Sequence, residues 1–382
     1  MRVLIATVTA GGGHLQAAAA VEEAWGAMRP EDELRKVDLL DGVSPLFRRV
    51  YAEGYVRLVA HAPELWGMVF SKTDNPALVR RLTRFRRGFA RRTYRSFVRL
   101  VREFRPDVVV CTHYQPLEIL SGSTERKDGP RPFTVCVVTD FEAHAFWMAE
   151  HVDLYFVAAP ETRARLVARG AAPDKVIATG IPVGARFGQA VDADAVRRTL
   201  GIRDDLPTLL VLGGGFGTGP IGEILGALDK VGEDLQTLVV AGRNEDLRRE
   251  LAVLECRHPT RVLGYSSNMH ELMSIADLII SKPGGLTSSE ALALGRPLCI
   301  INPIPGQEAA NSDFLLEHGA AVKVNRIDDL PFRVQQLLGS DKLEEMARSA
   351  RVLGRPAAAA EICREVAMRV QAAGHRGETE PR

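Results

Sequence analysis

Several short apolar runs end in segments rich in glycine or polar residues, and these segments hold the residues best suited to chemistry. The first is TAGGGH (Thr9–His14), which leads from the run Val3–Val8 into an alanine-rich segment that starts near Leu15. Glycines at such a turn let the main chain approach a ligand and aim the first amides of the next helix at it. His14 could then remove a proton from a hydroxyl near neutral pH. The alternative is a plain turn between a strand and a helix.

The second segment is GGGFGTGP (Gly213–Pro220), with five glycines in eight residues. Ordering so many glycines has a high cost in chain entropy, which argues against a loop that only connects two elements. Pro220 suits the first turn of a following helix. Because main-chain amides in such a loop can cradle a diphosphate, we predict that use here.

The third segment is SKPGGLTSSEALALG (Ser281–Gly295), which turns from a strand into a helix that carries Glu290 near its first turn. One carboxylate can accept hydrogen bonds from both hydroxyls of a ribose. The span from Thr287 to Glu290 also matches a capping box, in which the carboxylate merely returns to a main-chain amide. The spacing leaves both interpretations open.

NPIPGQEAAN (Asn302–Asn311) also follows an apolar run and gathers polar side chains at a predicted helix start. Gln307, Glu308 and Asn311 could bind the hydroxyls of a sugar, or they could form a polar helix cap.

TDFEAHAFW (Thr139–Trp147) follows another apolar run. Asp140 could orient His14 or an acceptor, while His144 and Trp147 could line a pocket or simply pack. The segment CTHYQP, which starts at Cys111, is a weaker candidate.

These segments must be positioned by strands that alternate with helices, a pattern typical of parallel sheets covered on both faces. The predicted strands form two sets: Val3–Val8, Val108–Cys111, Thr134–Val138 and Leu154–Ala158, then Leu209–Leu212, Gln236–Ala241, Arg261–Leu263, Leu278–Ser281, Leu298–Ile301 and Ala321–Val324. Open sheets bind ligands at the carboxyl ends of their strands. The sequence therefore predicts an α/β protein with two doubly wound Rossmann-like domains facing a cleft, the second holding most of a nucleotide.

We place an acceptor- and membrane-binding domain at residues 1–188 and a nucleotide-sugar domain at residues 189–355. Pro356 interrupts the last helix, because proline cannot continue the hydrogen-bond ladder. Residues 356–382 are expected to pack back on the first domain as a helix with a frayed polar tail, AAGHRGETEPR.

Composition narrows the class of protein without identifying a partner. The 382 residues are 46% apolar and carry a formal net charge of +1, so bulk charge suggests no nucleic-acid partner. The five cysteines show neither a disulfide framework nor a zinc spacing. The first apolar run is short for a signal peptide, and none reaches the roughly 18 residues that span a bilayer. We expect a protein that is soluble or bound to a membrane surface.

One strongly basic segment runs from Arg80 to Arg105 and contains eleven arginines and one acid, Glu103. Apolar residues recur in it every three or four positions, which predicts an amphipathic helix broken near Gly88. Such a helix could lie in an anionic membrane surface, or its charged face could simply be solvated. Just before it, HAPELWGMVF ends at Phe70 and is rich in large apolar residues that look exposed.

Seven motifs in order resemble glycosyltransferase family 28, in the branch of monogalactosyldiacylglycerol synthases and processive diacylglycerol glucosyltransferases. They are GGGHLQAA, TDFEAHAFW, GGGFGTGP, VVAGRNEDL, GYSSNMHELM, KPGGLTSSEALALGRP and PIPGQEAAN, and they span nearly the whole chain. The resemblance implies a GT-B fold and an inverting reaction. It implies neither a metal ion nor another cofactor.

The same resemblance implies roles for individual residues. His14 would be the base or an acceptor-binding group, aided by Asp140, in an acceptor site that also includes Gly12, Gly13, His144 and Trp147. The donor site would contain Gly215, Phe216, Gly217, Thr218, Gly219, Arg243, Asn244, Met269, Gly284, Gly285, Leu286, Thr287, Glu290, Gln307, Glu308 and Asn311. Within it, the glycine loop would bind the diphosphate, Glu290 the ribose, and Gln307 with Glu308 the sugar.

We therefore predict transfer of galactose or glucose from a UDP-sugar to diacylglycerol by a peripheral protein on the cytoplasmic face of the cell membrane. One alternative is an N-acetylglucosaminyltransferase acting on an undecaprenyl-linked peptidoglycan precursor. An alternative of another class is a UDP-sugar 2-epimerase, for which a basic membrane segment would have no purpose.

Overall fold

The computed structural model describes residues 1–9, 12–44, 46–50, 54, 62–75, 79, 88–121, 131–214 and 219–378. The strands are β1 Arg2–Thr7, β2 Glu33–Asp38, β3 Val108–Cys111, β4 Phe133–Val137, β5 Leu154–Val157, β6 Val176–Ala178, β7 Thr208–Leu212, β8 Gln236–Val240, β9 Thr260–Leu263, β10 Leu278–Ser281, β11 Leu298–Ile301 and β12 Ala321–Val324. All of their pairings are parallel. This confirms the predicted α/β class.

Helices connect the strands, as parallel pairing requires. They are α1 Gly12–Met28, α2 Pro63–Thr73, α3 Arg95–Phe104, α4 Tyr114–Leu120, α5 Pro160–Ala168, α6 Ala193–Leu200, α7 Ile221–Leu228, α8 Glu245–Ala252, α9 Met269–Ser274, α10 Gly285–Ala293, α11 Gln307–Glu317, α12 Leu330–Leu338, α13 Lys342–Leu353 and α14 Ala358–Glu378. The interruption expected at Pro356 lies between α13 and α14. The polar tail expected to fray is helical as far as Glu378.

In the described part of the chain, each sheet has six strands and one point at which the chain reverses its direction across the sheet. The first has the order β2-β1-β3-β4-β5-β6, so the reversal lies between β1 and β3. The second has the order β12-β11-β10-β7-β8-β9, so the reversal lies between β7 and β10. At a reversal the loops leave to opposite faces and open a crevice at the carboxyl ends of the strands. Ligand sites are therefore expected after β1 and β3, and after β7 and β10.

The chain separates into two compact units. The first contains 1–185, 305–307 and 357–382, and the second contains 186–304 and 308–356. In the first unit, α14 covers one face of the sheet: Ile362, Cys363 and Val366 are fully buried in one cluster with Val3 and Trp25. One hydrophobic cluster in the second unit joins its strands to the helices after β7 and β12.

The basic segment differs from its prediction. Residues 80–87 lie outside the described part, so the break expected near Gly88 stays a prediction. Residues 88–93 are helical, and a turn at Tyr94 separates them from α3. The apolar stripe of α3 is buried in the protein's own core, with Phe97 only 2% and Phe104 only 4% exposed. The prediction that this stripe enters a membrane is therefore wrong for α3. Its arginines face outward because they lie on the opposite side of the helix.

No helix in the described ranges is long and apolar enough to cross a membrane.

Candidate active site

His14 lies on the first turn of α1, at the strand reversal of the first sheet. Its Nδ1 atom is 2.9 Å from the carbonyl oxygen of Thr112, the residue that follows β3. The same nitrogen is 2.8 Å from the Thr139 hydroxyl, just beyond β4. The Thr112 hydroxyl donates to the main-chain carbonyl of His14 at 3.0 Å. Loops after three strands of one sheet therefore hold this ring.

Burial lowers the pKa of His14 from its usual 6.5, while the charge of Asp140 and the Thr112 carbonyl oppose the shift. Burial has the larger effect because it removes water from the charged imidazolium, which needs hydration more than the neutral ring does. The ring is therefore neutral at pH 7 and can accept a proton. Asp140 acts on His14 as a nearby negative charge, whereas Thr112 and Thr139 supply the hydrogen-bond partners of the ring. The role of Asp140 in orienting an acceptor stays a prediction.

Two aromatic rings lie next to the ring of His14. The His113 ring meets it edge-on at 4.8 Å between centroids, and the Trp147 ring lies at 6.4 Å. The Nδ1 atom of His113 accepts a hydrogen bond from the Gln115 amide, so its proton is on Nε2. Burial, together with the neighbouring His14, holds the pKa of His113 well below its usual value. Trp147, only 4% exposed, is a wall of this site.

His144 is committed to contacts within the protein. Its Nδ1 atom accepts from the Phe146 amide at 3.1 Å, and its Nε2 atom lies 3.0 Å from the Phe70 carbonyl. The ring is 5% exposed and lies 4.4 Å from the Phe70 ring. Asp74, held by both terminal nitrogens of Arg169, binds the next amide, that of Ala145. His144 thus fastens α2 to the TDFEAHAFW segment.

The glycine loop of the second unit lies at the other strand reversal. Gly214 has φ +71° and Gly219 has φ +153°, conformations that side chains rarely adopt, so glycine is required at both positions. Gly215, Phe216, Gly217 and Thr218 lie outside the described residues. Their predicted contact with the diphosphate stays a prediction.

Helix α10 begins across the same reversal, directly after β10. Its N-cap is Gly284, which forms no side-chain cap, so no cap side chain competes for the amides of Gly285, Leu286 and Thr287. Open amides at a helix start are a site for an anion. By contrast, the N-cap of α8 is Asn244, whose side chain accepts from the Leu247 amide.

Glu290 is the sixth residue of α10, one turn later than predicted. Thr287 is already inside the helix, so the two residues do not form a capping box. Burial raises the pKa of Glu290 to about 8. Among the residues that the structure describes, none forms a hydrogen bond or ion pair with this carboxyl group.

The polar residues of α11 differ in their roles. Glu308 accepts the Ile304 amide at 2.8 Å, which matches the helix-cap interpretation. Asn311 is fully buried, and its Nδ2 atom donates to the Pro283 carbonyl at 3.1 Å. Gln307 is the first residue of the helix.

Arg243 follows β8 and Met269 follows β9, the two neighbouring strands at one edge of the second sheet. The Arg243 guanidinium lies over the ring of Tyr265, 4.9 Å from its centroid, so these two residues share one surface. Met269 starts α9. In the first unit, Gly12 and Gly13 form the start of α1 beside His14.

Thr112 and Thr139 are functional candidates that no motif in the sequence singles out, and the segment of His113 is only a weak candidate there. A usable signal was present, because all three residues lie within two positions of the ends of β3 and β4, next to the glycine turn after β1. No three or more His, Cys, Asp or Glu side chains of the described ranges are grouped to hold a metal ion.

Two doubly wound domains built on parallel sheets, each with one strand reversal, define the GT-B class of fold. The MurG protein of Acinetobacter baumannii shares this fold with a TM-score of 0.59 at 17% identity, covering 96% of this chain and 99% of that one. A UDP-N-acetylglucosamine 2-epimerase shares it with a TM-score of 0.57 at 13% identity, covering 100% and 98%. The fold alone does not separate transferases from epimerases.

Similarity in sequence distinguishes the two classes and favours the transferases. Residues 14–183 match the family model of monogalactosyldiacylglycerol (MGDG) synthase, and residues 208–361 match the glycosyltransferase family 28 C-terminal domain. A processive diacylglycerol beta-glucosyltransferase of Bacillus pumilus is 30% identical over 356 residues, which cover 92% of this chain and 91% of that protein. The chain belongs to this family of glycosyltransferases, which confirms the resemblance seen in its motifs.

Proposed function

We propose that the protein transfers a hexose from a UDP-sugar to the free hydroxyl of diacylglycerol, with inversion at the anomeric carbon. The observation that carries the proposal is the setting of His14. The ring is neutral, oriented through Nδ1, and located where an open sheet binds its ligand. Membership of a diacylglycerol glycosyltransferase family supports the acceptor.

In this proposal the Nε2 atom of His14 removes the proton of the acceptor hydroxyl as its oxygen attacks the anomeric carbon. The bond from that carbon to the UDP oxygen breaks, and UDP leaves from the opposite face. The imidazolium formed at His14 is stabilised by the charge of Asp140 and by the carbonyl of Thr112, both of which favour the protonated ring.

The second unit would hold the donor. The open amides at the start of α10 and the glycines after β7 suit the charge that develops on the leaving diphosphate, so helix ends do work that a cation does in other transferases. Glu290 would accept hydrogen bonds from both ribose hydroxyls, which accounts for a partly buried carboxyl group without a partner among the described residues. Gln307 and Glu308 would bind the sugar, and Arg243 and Met269 would lie near the uracil.

The first unit would also meet the membrane, at the cytoplasmic face where UDP-sugars are made. Helix α2 exposes an apolar face, with Leu65 51%, Met68 54% and Val69 43% exposed. These positions share one side of the helix, opposite Phe70, which contacts His144. Arg92, Arg95, Arg99 and Arg102 are exposed cations suited to anionic headgroups. In this proposal the apolar face of α2, and not the apolar stripe of α3, inserts into the membrane.

Mass spectrometry of lipid products tests the proposal. The purified protein is incubated with UDP-glucose or UDP-galactose and vesicles that contain diacylglycerol and phosphatidylglycerol, with and without EDTA. We expect monohexosyl and longer glycosyl diacylglycerols, formed equally with EDTA. Transfer only to an undecaprenyl-linked acceptor, or 2-epimerisation of a UDP-sugar without transfer, would refute the function. Loss of activity in EDTA that magnesium restores would refute the metal-free mechanism alone.

A further inference from the structure

The Nδ1 atom of His14 faces two oxygens, and their chemistry determines where the ring carries its proton. The Thr112 carbonyl, at 2.9 Å, can only accept a hydrogen bond. Nδ1 must therefore be the protonated nitrogen, which leaves the lone pair of the neutral ring on Nε2. In the other tautomer, a lone pair on Nδ1 would face the carbonyl oxygen at hydrogen-bonding distance, which is unfavourable.

We propose that Thr139 is a positioning residue that holds His14 in this tautomer and orientation, an inference that rests on the proposed role of His14 as base. Its hydroxyl oxygen, 2.8 Å from Nδ1, accepts a second branch of the same N–H hydrogen bond. Thr139 is 5% exposed, so water does not readily replace it. Thr139 lies two residues beyond the end of β4, so the sheet fixes where the chain carries it.

The contribution of Thr139 grows during the reaction. When Nε2 takes the acceptor's proton, the ring becomes an imidazolium and its Nδ1–H bonds strengthen, because a hydrogen bond with an ionised partner is stronger than a neutral one. The edge of the His113 ring at 4.8 Å limits ring rotation without adding charge, since His113 stays neutral. Thr139 therefore stabilises the protonated state of His14 more than the neutral one.

The test compares Thr139→Val, which keeps the shape of the side chain, with Thr139→Ser, which keeps the hydroxyl. Thr179→Val is the matched control, because Thr179 is also 5% exposed and its hydroxyl interacts with the Gly180 carbonyl instead. We expect Thr139→Val to lower kcat at least about tenfold, a modest part of the usual contribution of a positioned base. UDP affinity should be unchanged, and Thr139→Ser should recover most of the rate.

Two further readouts separate positioning from packing. The acid limb of the kcat profile should move to lower pH in Thr139→Val, because the protonated ring loses an acceptor. Nitrogen NMR of the His14 ring should show Nδ1 protonated in the wild type and a mixture of tautomers in Thr139→Val. In a His14→Ala background, Thr139→Val should have no further effect on kcat.

Equal loss of rate in Thr139→Val and Thr139→Ser, or a wild-type pH profile and ring spectrum in Thr139→Val, would overturn this inference. A fully active His14→Ala enzyme would instead refute the proposed base. A weakly active His14→Ala enzyme together with a normal Thr139→Val enzyme would refute the positioning role alone.

Discussion

The Nδ2 atom of Asn311 donates to the main-chain carbonyl of Pro283 at 3.1 Å, which ties α11 to the turn that opens α10. Asn311 is fully buried, so its side-chain amide cannot bond to water and depends on partners within the protein such as this carbonyl. The side chain therefore positions the amides of Gly284 and Gly285 and need not touch the sugar itself.

We expect Asn311→Ala to lower both the free energy of unfolding and the affinity for UDP. Leaving the Pro283 carbonyl without this partner costs about 1–3 kcal/mol, and the turn before α10 becomes less well ordered. Urea denaturation and calorimetry measure the two effects. Asn325→Ala, at an exposed position, is the control and should change neither. An Asn311→Ala protein with normal stability and normal UDP affinity would contradict this role.

The carboxyl group of Glu290 makes stability depend on pH. Burial raises its pKa to about 8 in the folded protein. The folded state thus binds more protons than the unfolded one between the ordinary pKa of a glutamate and 8, so stability falls as pH rises through this window. Glu290→Gln should be more stable than the wild type at pH 8, by on the order of a few kcal/mol, and about equal at pH 4. The exposed Glu250→Gln is the control, and identical pH profiles for Glu290→Gln and the wild type would contradict the prediction.

The same carboxyl group should release a proton when UDP binds. Ribose hydroxyls donate to the ionised carboxylate, so binding favours that form at pH 7. Calorimetry in buffers of different ionisation enthalpy should show proton release by the wild type and less by Glu290→Gln. The variant should also bind UDP about tenfold or more weakly, on the scale of a hydrogen bond to a charged group. Unchanged affinity in Glu290→Gln would remove Glu290 from the donor site.

Removal of the proposed base should separate chemistry from binding. His14→Ala should lower kcat by about 100-fold or more, the usual scale for a positioned base. UDP affinity should be nearly unchanged, because the residues proposed to bind the diphosphate, ribose and uracil belong to the second unit. Product formation by mass spectrometry and UDP titration by calorimetry measure these quantities. A variant with normal turnover would exclude His14 from the mechanism.

The outward arginines of the first unit should control membrane binding. Replacing Arg92, Arg95, Arg99 and Arg102 by glutamine should weaken sedimentation with phosphatidylglycerol vesicles and lower lipid glycosylation while UDP affinity is kept. Each cation near an anionic surface contributes about 1 kcal/mol, and salt screens the attraction over about 10 Å at 0.1 M. The same change at the exposed Arg203, Arg249, Arg326 and Arg348 of the second unit is the control. Wild-type binding that is equal on neutral phosphatidylcholine vesicles and insensitive to salt would contradict the prediction.

The apolar face of α2 can be tested in the same assay. Leu65→Ser with Met68→Ser should weaken the part of vesicle binding that persists at high salt, because that part depends on buried apolar area. Val253→Ser with Leu254→Ser, which are exposed in the second unit, is the matched control. Equal binding at high salt by the α2 variant and the wild type would show that this face does not insert.

The sequence by itself determined the α/β class, the alternation of strands and the glycine turns after β1, β7 and β10. Short β-branched runs that alternate with helical segments favour buried parallel strands, and the glycines of the loop after β7 suit the positive φ found at Gly214 and Gly219. The ordered motifs also identified the family, because a set of separate turns carries more information than any one of them. Glu290 could be named from this pattern, although its two interpretations could not be separated.

Only the tertiary structure decided which side chains meet. His14 and Thr139 are 125 positions apart in the chain, and strand order brings them to one nitrogen atom. The capping box considered at Thr287 does not form, because the turn after β10 starts the helix at Gly285. The end of the strand fixes that start, and the local sequence does not reveal it. The prediction for the basic segment fails at α3 for the same reason. Periodicity shows that a helix has an apolar side, but not whether a membrane or the protein's own core covers it. Long-range burial settles that question, and it depends on contacts that no local pattern contains.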